Sequence, residues 1–447
     1  MKLKSHIQQL TGGQLAKDSL IAILLNFCSA GFSVVSAVLF ARILGVAEFG
    51  AYAVAFSWAG LLTVPALLGF TDYLTRELAV ARDRQHWSVA SGLLVTAFGV
   101  TILASTMLAL AVYVGFSKFL ASTMDADISR VFAFGCLLIP VNTAESIVHA
   151  GLKGFGLNSA ALWVRSFIRP LMLIATLLYV NATQLPFTGI EAIFSQAGTL
   201  LVGVLMLLVI IFRATPDALF RPRPVYAIKG HIRGALPFLA MAWLGVIITH
   251  TDIVMLGMLS TAEQAGGYRV ASRVASVISL AYMAISLPLG PRMAVMFSQS
   301  QFHALQNSYA KATLLGLVIA LPLLMVFIIF GPQVLGVFGQ EFKAVAALLA
   351  VLAGAAAFNV FIGPAALCLN MMGEEHRVGL ILSVAALLNV GLNLWLIPIM
   401  GAQGAALASV ITVVAWKTLL GLRLYHKASI LPGGLGLLRS YRKSAGS

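Results

Sequence analysis

Twelve mostly apolar stretches of about 20 residues run along this chain, each long enough to cross a bilayer as a helix. They fall at roughly 19–41, 49–70, 88–115, 131–151, 162–180, 190–212, 234–258, 265–290, 310–330, 344–369, 378–398 and 402–422. Helices are required, because backbone groups in hydrocarbon must be satisfied within the segment and barrel strands would alternate over shorter runs. A chain of 447 residues that is 60% hydrophobic and 10% charged cannot bury that much apolar surface in a water-soluble core.

The formal charge of +14 is a topology signal, and nucleic acid is not implied as a partner. Lys2, Lys4 and Lys17 precede the first span, and Arg76, Arg82 and Arg84 follow the second. Arg213, Arg221, Arg223, Lys229 and Arg233 crowd the loop after the sixth, and Arg423, Lys427, Arg439, Arg442 and Lys443 close the chain. The odd loops carry only Arg42, Lys118, Arg130, Arg269 and Lys343 near their edges, and 181–190 has no charge. Both termini are therefore expected in the cytoplasm, with the basic side also facing anionic membrane lipids. The polar stretch before a full-length first span reads as uncleaved. Cys28, Cys136 and Cys368 lie within spans without metal-like spacing, so no disulfide framework, metal site or cofactor is expected.

An internal repeat of roughly 215 residues appears at three places in order. Leu44-Gly45, Ala47-Glu48, Gly50 and Tyr52 are echoed by Leu256-Gly257, Ala262-Glu263, Gly266 and Tyr268. Leu152 and Gly156 match Leu369 and Gly373, while Pro186, Gly189 and Ala192 match Pro398, Gly401 and Gly404-Ala405. The expected architecture is thus an all-α polytopic membrane protein of about 12 transmembrane helices, in two six-helix lobes related by a parallel internal repeat. Its parts are an N-terminal lobe at 1–213, a basic linker at 214–232 containing Pro216, Pro222 and Pro224, and a C-terminal lobe with its tail at 233–447. Pro65, Pro140, Pro170, Pro237, Pro322 and Pro364 fall inside spans, where each frees a carbonyl and permits a bend. No phosphate-cradling G-x-x-x-x-G-K-[ST] motif, hydrolytic triad or metal-ligand cluster occurs, so transport is favoured over catalysis.

Charges inside spans mark the candidate site, since each needs a wet cavity or a partner. Asp252 lies about 9 Å below the outer end of the seventh helix and Arg273 about 12 Å into the eighth, at similar depth. Arg269 sits one turn above Arg273, so these two with Tyr268 form a cationic wall that Asp252 is expected to neutralise in part. A second group joins Asn142, Glu145 and His149 on the fourth helix to Arg165 and Arg169 on the fifth. A buried pair that only ties helices together is the competing reading of both groups. With those faces turned inward, a cavity lined by Arg165, Arg169, Arg269 and Arg273 suits an anionic substrate.

Ala41-Arg42-Ile43-Leu44-Gly45 with Glu48-Phe49-Gly50-Ala51-Tyr52, Asp252 to Gly257 leading to Gly267-Tyr268-Arg269-Val270-Ala271, and Asn389 to Ala406 carry a resemblance. Together they resemble bacterial polysaccharide-export flippases of the multidrug, oligosaccharidyl-lipid and polysaccharide exporter superfamily, over nearly the whole chain. The resemblance implies transfer of a polyprenyl-diphosphate-linked oligosaccharide across the bacterial inner membrane by alternating access. It further implies a working monomer in contact with a polysaccharide polymerase or glycosyltransferases. Arg269 and Arg273 would meet the diphosphate or acidic sugars first, and Arg165 and Arg169 second, with Asp252 or Glu145 as ion carriers. A cation-coupled multidrug antiporter is expected to carry an acid inside its first helix, and Ser19 to Ala41 has none. A peptidoglycan-precursor flippase of the same superfamily usually adds two helices, and none follows Leu422.

Overall fold

The computed structural model describes residues 2–116, 124–215, 219, 224–286 and 289–433. Lys118, Pro216, Arg221, Pro222, Arg223, Arg439, Arg442 and Lys443 lie outside the described residues. In the first half the helices are α1 (Lys2–Ala66), α2 (Phe70–Asp83), α3 (Trp87–Gly115), α4 (Ala126–Gly135), α5 (Leu138–Gly154), α6 (Asn158–Trp163), α7 (Arg169–Thr183) and α8 (Gly189–Ala214). In the second they are α9 (Ile228–Leu259), α10 (Ala262–Ser286), α11 (Leu289–Ser298), α12 (Phe302–Ile329), α13 (Gly331–Gly336), α14 (Ala346–Ile362), α15 (Ala365–Met371), α16 (Glu375–Met400) and α17 (Ala402–Ala428). No strand occurs among the described residues.

Among the described residues, eight helical segments are long and apolar enough to span a bilayer, and α4 with α5, bent by 42°, makes a ninth. The first of the eight, Leu24–Ala66, contains two expected spans, because Gly45 at φ 73° breaks α1 between them. The spans expected at 234–258 and 265–290 fall on α9 and α10, which completes twelve. Polarity is inverted relative to a soluble protein. On α16, Leu387 is 74% and Ile399 68% exposed, whereas Asn389 and Asn393 on the same helix are buried. Only an apolar solvent around the helix makes that favourable.

Proline accounts for two of the irregularities. Pro140 cannot donate to the carbonyl four residues back, at Cys136, and its ring crowds that carbonyl; the bend between Gly135 and Leu138 lies there. Pro170 stands just after a π-helical turn at Val164–Ile168, where the backbone register slips by one residue. Sequence reading left 71–87 as a loop, yet α2 is helical. Phe70, Leu74, Leu78 and Ala81 recur at helical spacing and are buried, while Leu68 and Gly69, both at positive φ, turn the chain from α1 into it.

The chain forms two compact units, one of Met1–Leu44, Ala55–Thr123 and Ser129–Val246, the other of Gly45–Val54, Met124–Ile128 and Ile247–Ser447. Within the second unit the two repeated turns cross at glycine. A Cβ on Gly50 would lie 1.8 Å from the Ala262 carbonyl oxygen, and one on Gly266 would lie 2.3 Å from that of Val46. Each turn is also capped by a distant carboxylate. Val46 N–H donates to Glu341 at 3.2 Å and Ala262 N–H to Asp125 at 3.3 Å, so cap and capped residue both recur after the same 216 residues (46 to 262, 125 to 341). At the other end of the second unit Glu374 receives Lys427 at 2.8 Å and Arg423 at 2.6 Å, and these two cations hold its carboxyl down at about 2.

Gly50→Ala forces backbone apart and is expected to destabilise the protein by ~1–3 kcal/mol. Gly99→Ala, on a stretch of α3 where an added Cβ meets nothing within 4 Å, should be neutral or stabilising. Thermal unfolding in one detergent checks both. Equal melting temperatures for the two variants would refute the glycine crossing.

Candidate functional site

Four helices of the second unit converge on Asp252, which α9 places two turns before its end. Its Oδ2 accepts from the Tyr268 hydroxyl of α10 at 2.5 Å and from the Ser409 hydroxyl of α17. Its Oδ1 accepts from Asn393 Nδ2 at 2.7 Å and Asn389 Nδ2 at 3.1 Å, both of α16, where a spacing of four puts them on one face. All of these side chains are buried except Ser409, which is half-buried. Asn393 Nδ2 also reaches Asn389 Oδ1 at 3.1 Å, which leaves Asn393 Oδ1 buried without a hydrogen-bond partner. A carboxylate held by four neutral donors, with an idle oxygen on the same amide as one of them, is an oxygen-rich pocket suited to a small hard cation or a proton.

Asp252 and Tyr268 are thus brought together, through a hydrogen bond from a neutral hydroxyl. Arg269 and Arg273 follow Tyr268 on α10 one turn apart, and both are half-buried. No carboxylate lies within ion-pairing distance of Arg273 among the described residues. The second cluster lies in the first unit. Arg169 Nη1 of α7 meets Glu145 Oε1 of α5 at 2.6 Å, with Glu145 buried. His149, one turn along α5, leaves Nε2 buried and unpartnered. Arg165 is exposed within the π-helical turn and is not joined to Glu145.

Sequence reading passed over Asn389, Asn393 and Ser409 as site residues. The signal was present in Asn389 and Asn393, since two amides four apart in an apolar span need a shared partner. Among the described residues, no group of three or more His, Cys, Asp or Glu side chains is placed to hold a metal ion.

Two family models match. One, described as "Polysaccharide biosynthesis protein", covers residues 15–297, and the other, MatE, covers 237–395. Two curated proteins of Haloferax volcanii are similar. The "Probable low-salt glycan biosynthesis flippase Agl15" is 26% identical over 172 residues, 38% of this chain and 36% of that protein. The "Probable flippase AglR" is 24% identical over 183 residues, 40% of this chain and 38% of that protein. The chain therefore aligns with little more than a third of the length of these relatives. Among solved structures, an inward-facing multidrug resistance MATE family transporter of the MOP superfamily superposes with TM-score 0.74 at 13% identity, covering 92% of this chain and 98% of that one. The lipid II flippase MurJ in an inward closed conformation gives 0.68 at 15% identity, covering 91% and 87%. At these identities the likeness is one of fold.

Proposed function

The chain belongs to the polysaccharide biosynthesis protein family, and from that premise we propose that it is a flippase for polyprenyl-diphosphate-linked oligosaccharide. The substrate passes from the inner to the outer leaflet of a bacterial cytoplasmic membrane by alternating access, in the service of polysaccharide assembly. The family match over residues 15–297 carries this reading, and the printed functions of both archaeal relatives support it. The alternating basic loops favour cytoplasmic termini. The protein works as a monomer that hands its product to a polymerase or receives it from glycosyltransferases.

In this proposal Arg269 and Arg273 meet the diphosphate, because a guanidinium matches phosphate oxygens in pairs of hydrogen bonds. Arg165, exposed on its π-helical turn in the first unit, is the secondary candidate for contact with an anionic head group. Asp252 is the coupling group. A cation or proton arriving at its carboxylate competes with the Tyr268 and Ser409 hydroxyls, and Tyr268 shares α10 with both arginines, so occupancy biases the helix that holds the substrate. Glu145, already engaged by Arg169, is the second coupling candidate.

A cation-coupled multidrug antiporter is the second reading, favoured by the MatE match over 237–395, and a peptidoglycan lipid-precursor flippase is the third. Reconstituted vesicles decide among them. Labelled undecaprenyl-diphosphate oligosaccharide should cross with the protein and not in empty liposomes. Arg273→Ala should slow transfer ~10–100-fold, the weight of one charged hydrogen-bonding contact. Equal transfer by the variant would remove Arg273 from the path. Absence of transfer alongside cation-driven dye efflux would replace the flippase with the antiporter.

A further inference from the structure

Lys417 lies on α17 about 16 Å from its C-terminal end, inside the span and 5% exposed. Its Nζ rests 4.5 Å from the Trp416 ring centroid and 5.9 Å from that of Tyr282 on α10. Two aromatic faces ease the burial of an ammonium and do not neutralise it. Of the helices packed on α17, α14 and α15 contain no Asp or Glu, α16 carries an acid only at its first residue, Glu375, and the one acid of α10, Glu263, is about 28 Å along the helix from Tyr282. An uncompensated ammonium in such a place costs several kcal/mol.

The neighbouring polar atoms are idle in a consistent way. Trp416 Nε1 is buried with no hydrogen-bond partner, and Tyr282 OH and Ser286 Oγ, one turn apart on α10, are buried with no partner beyond each other. An ammonium and an indole N–H can only donate, and the hydroxyl pair keeps one proton free to do so. A concentration of unused donors beside an unpaired cation is complementary to oxyanions.

The geometry points to a site formed by Lys417, Trp416, Tyr282 and Ser286 that binds a single oxyanion, a sugar carboxylate or a phosphate of the transported head group. This rests on the flippase reading for its source of ligand, and goes beyond it in adding a subsite on α10 and α17 apart from Arg269 and Arg273. One point charge with single donors fits a monoanion, whereas a diphosphate calls for paired guanidinium forks. A head group carrying an acidic sugar would then be held at two places.

The test uses the full-length protein in nanodiscs, titrated with sodium glucuronate, sodium phosphate or glucose while intrinsic tryptophan fluorescence is followed. Trp416→Phe identifies the part of the signal that comes from the pocket. A saturable change with glucuronate or phosphate, absent with glucose, is expected; which anion gives it names the source. Lys417→Met should weaken it at least ~10-fold and Lys417→Arg should retain it. No saturable change with either anion, or an unchanged response in Lys417→Met, overturns the site. Transfer of a neutral-sugar polyprenyl-diphosphate oligosaccharide by the unaltered protein reports on the parent reading separately. Its absence would fault the flippase reading, whichever anion binds at Lys417.

Discussion

Asp252→Asn is expected to fold normally and to lose gradient-driven transfer by ~100-fold or more, the cost of removing one charged contact at a coupling site. The substitution is nearly isosteric, and its amide has a satisfied arrangement open to it. The new carbonyl can keep accepting from Asn389 and Asn393, while the new NH2 turns toward Tyr268 and Ser409, whose hydroxyls can rotate to accept. What disappears is the negative charge. Asp252→Ala behaves differently, because it leaves the buried Asn389 Nδ2 without an acceptor at ~1–3 kcal/mol, with Tyr268 left to Ser409 and Asn393 left to Asn389. Transfer is therefore compared under imposed sodium and proton gradients for the unaltered protein and Asp252→Asn, with the melting temperature as a fold control. Full gradient dependence in a stable Asp252→Asn variant would make the four-donor cage a purely structural clamp.

The alternation of basic loops and the twelve apolar stretches made the helical framework readable from sequence, because the bilayer imposes length and polarity on each segment separately. Prolines marked positions of irregularity for the same local reason. The repeat was also legible at Gly45, Gly50 and Gly266, where a sharp turn or a crossing backbone admits no larger residue. Its capping acids were not, since Asp125 and Glu341 act on amides far away in sequence, and nothing local to either acid reveals that. The site was half legible for a related reason. Depth along two helices put Asp252 level with Arg273, but sequence offers no rotation angle. The expectation that Asp252 offsets an arginine was a statement about charge, and charge says nothing of the neutral groups, Asn389, Asn393 and Ser409, with which the helices surround it. Lys417 escaped notice because a single cation near the end of the last span looks like one more basic residue of the cytoplasmic side.

The ion pair of Glu145 and Arg169 carries the other large expected effect. Its 2.6 Å contact lies between α5 and α7, with the Glu145 side chain 7% and that of Arg169 22% exposed. Breaking such a pair from one side leaves a charge without its partner, so Glu145→Gln or Arg169→Met alone should cost ~3 kcal/mol, the lower end of the range because Arg169 keeps some exposure. The double variant removes both charges and should recover more than half of that loss, since two neutral side chains carry no desolvation debt. Unfolding of the four proteins of this cycle in one detergent measures the coupling. Additive single and double effects would mean that the two charges do not depend on each other. The refolded double variant then separates structure from transport. If it moves labelled lipid-linked oligosaccharide at the ordinary rate, the pair only ties α5 to α7. If it is stable and inactive, Glu145 exchanges its partner during the cycle, and the π-helical turn next to Arg169 supplies a physical route, because a one-residue register slip there moves the guanidinium relative to the carboxylate.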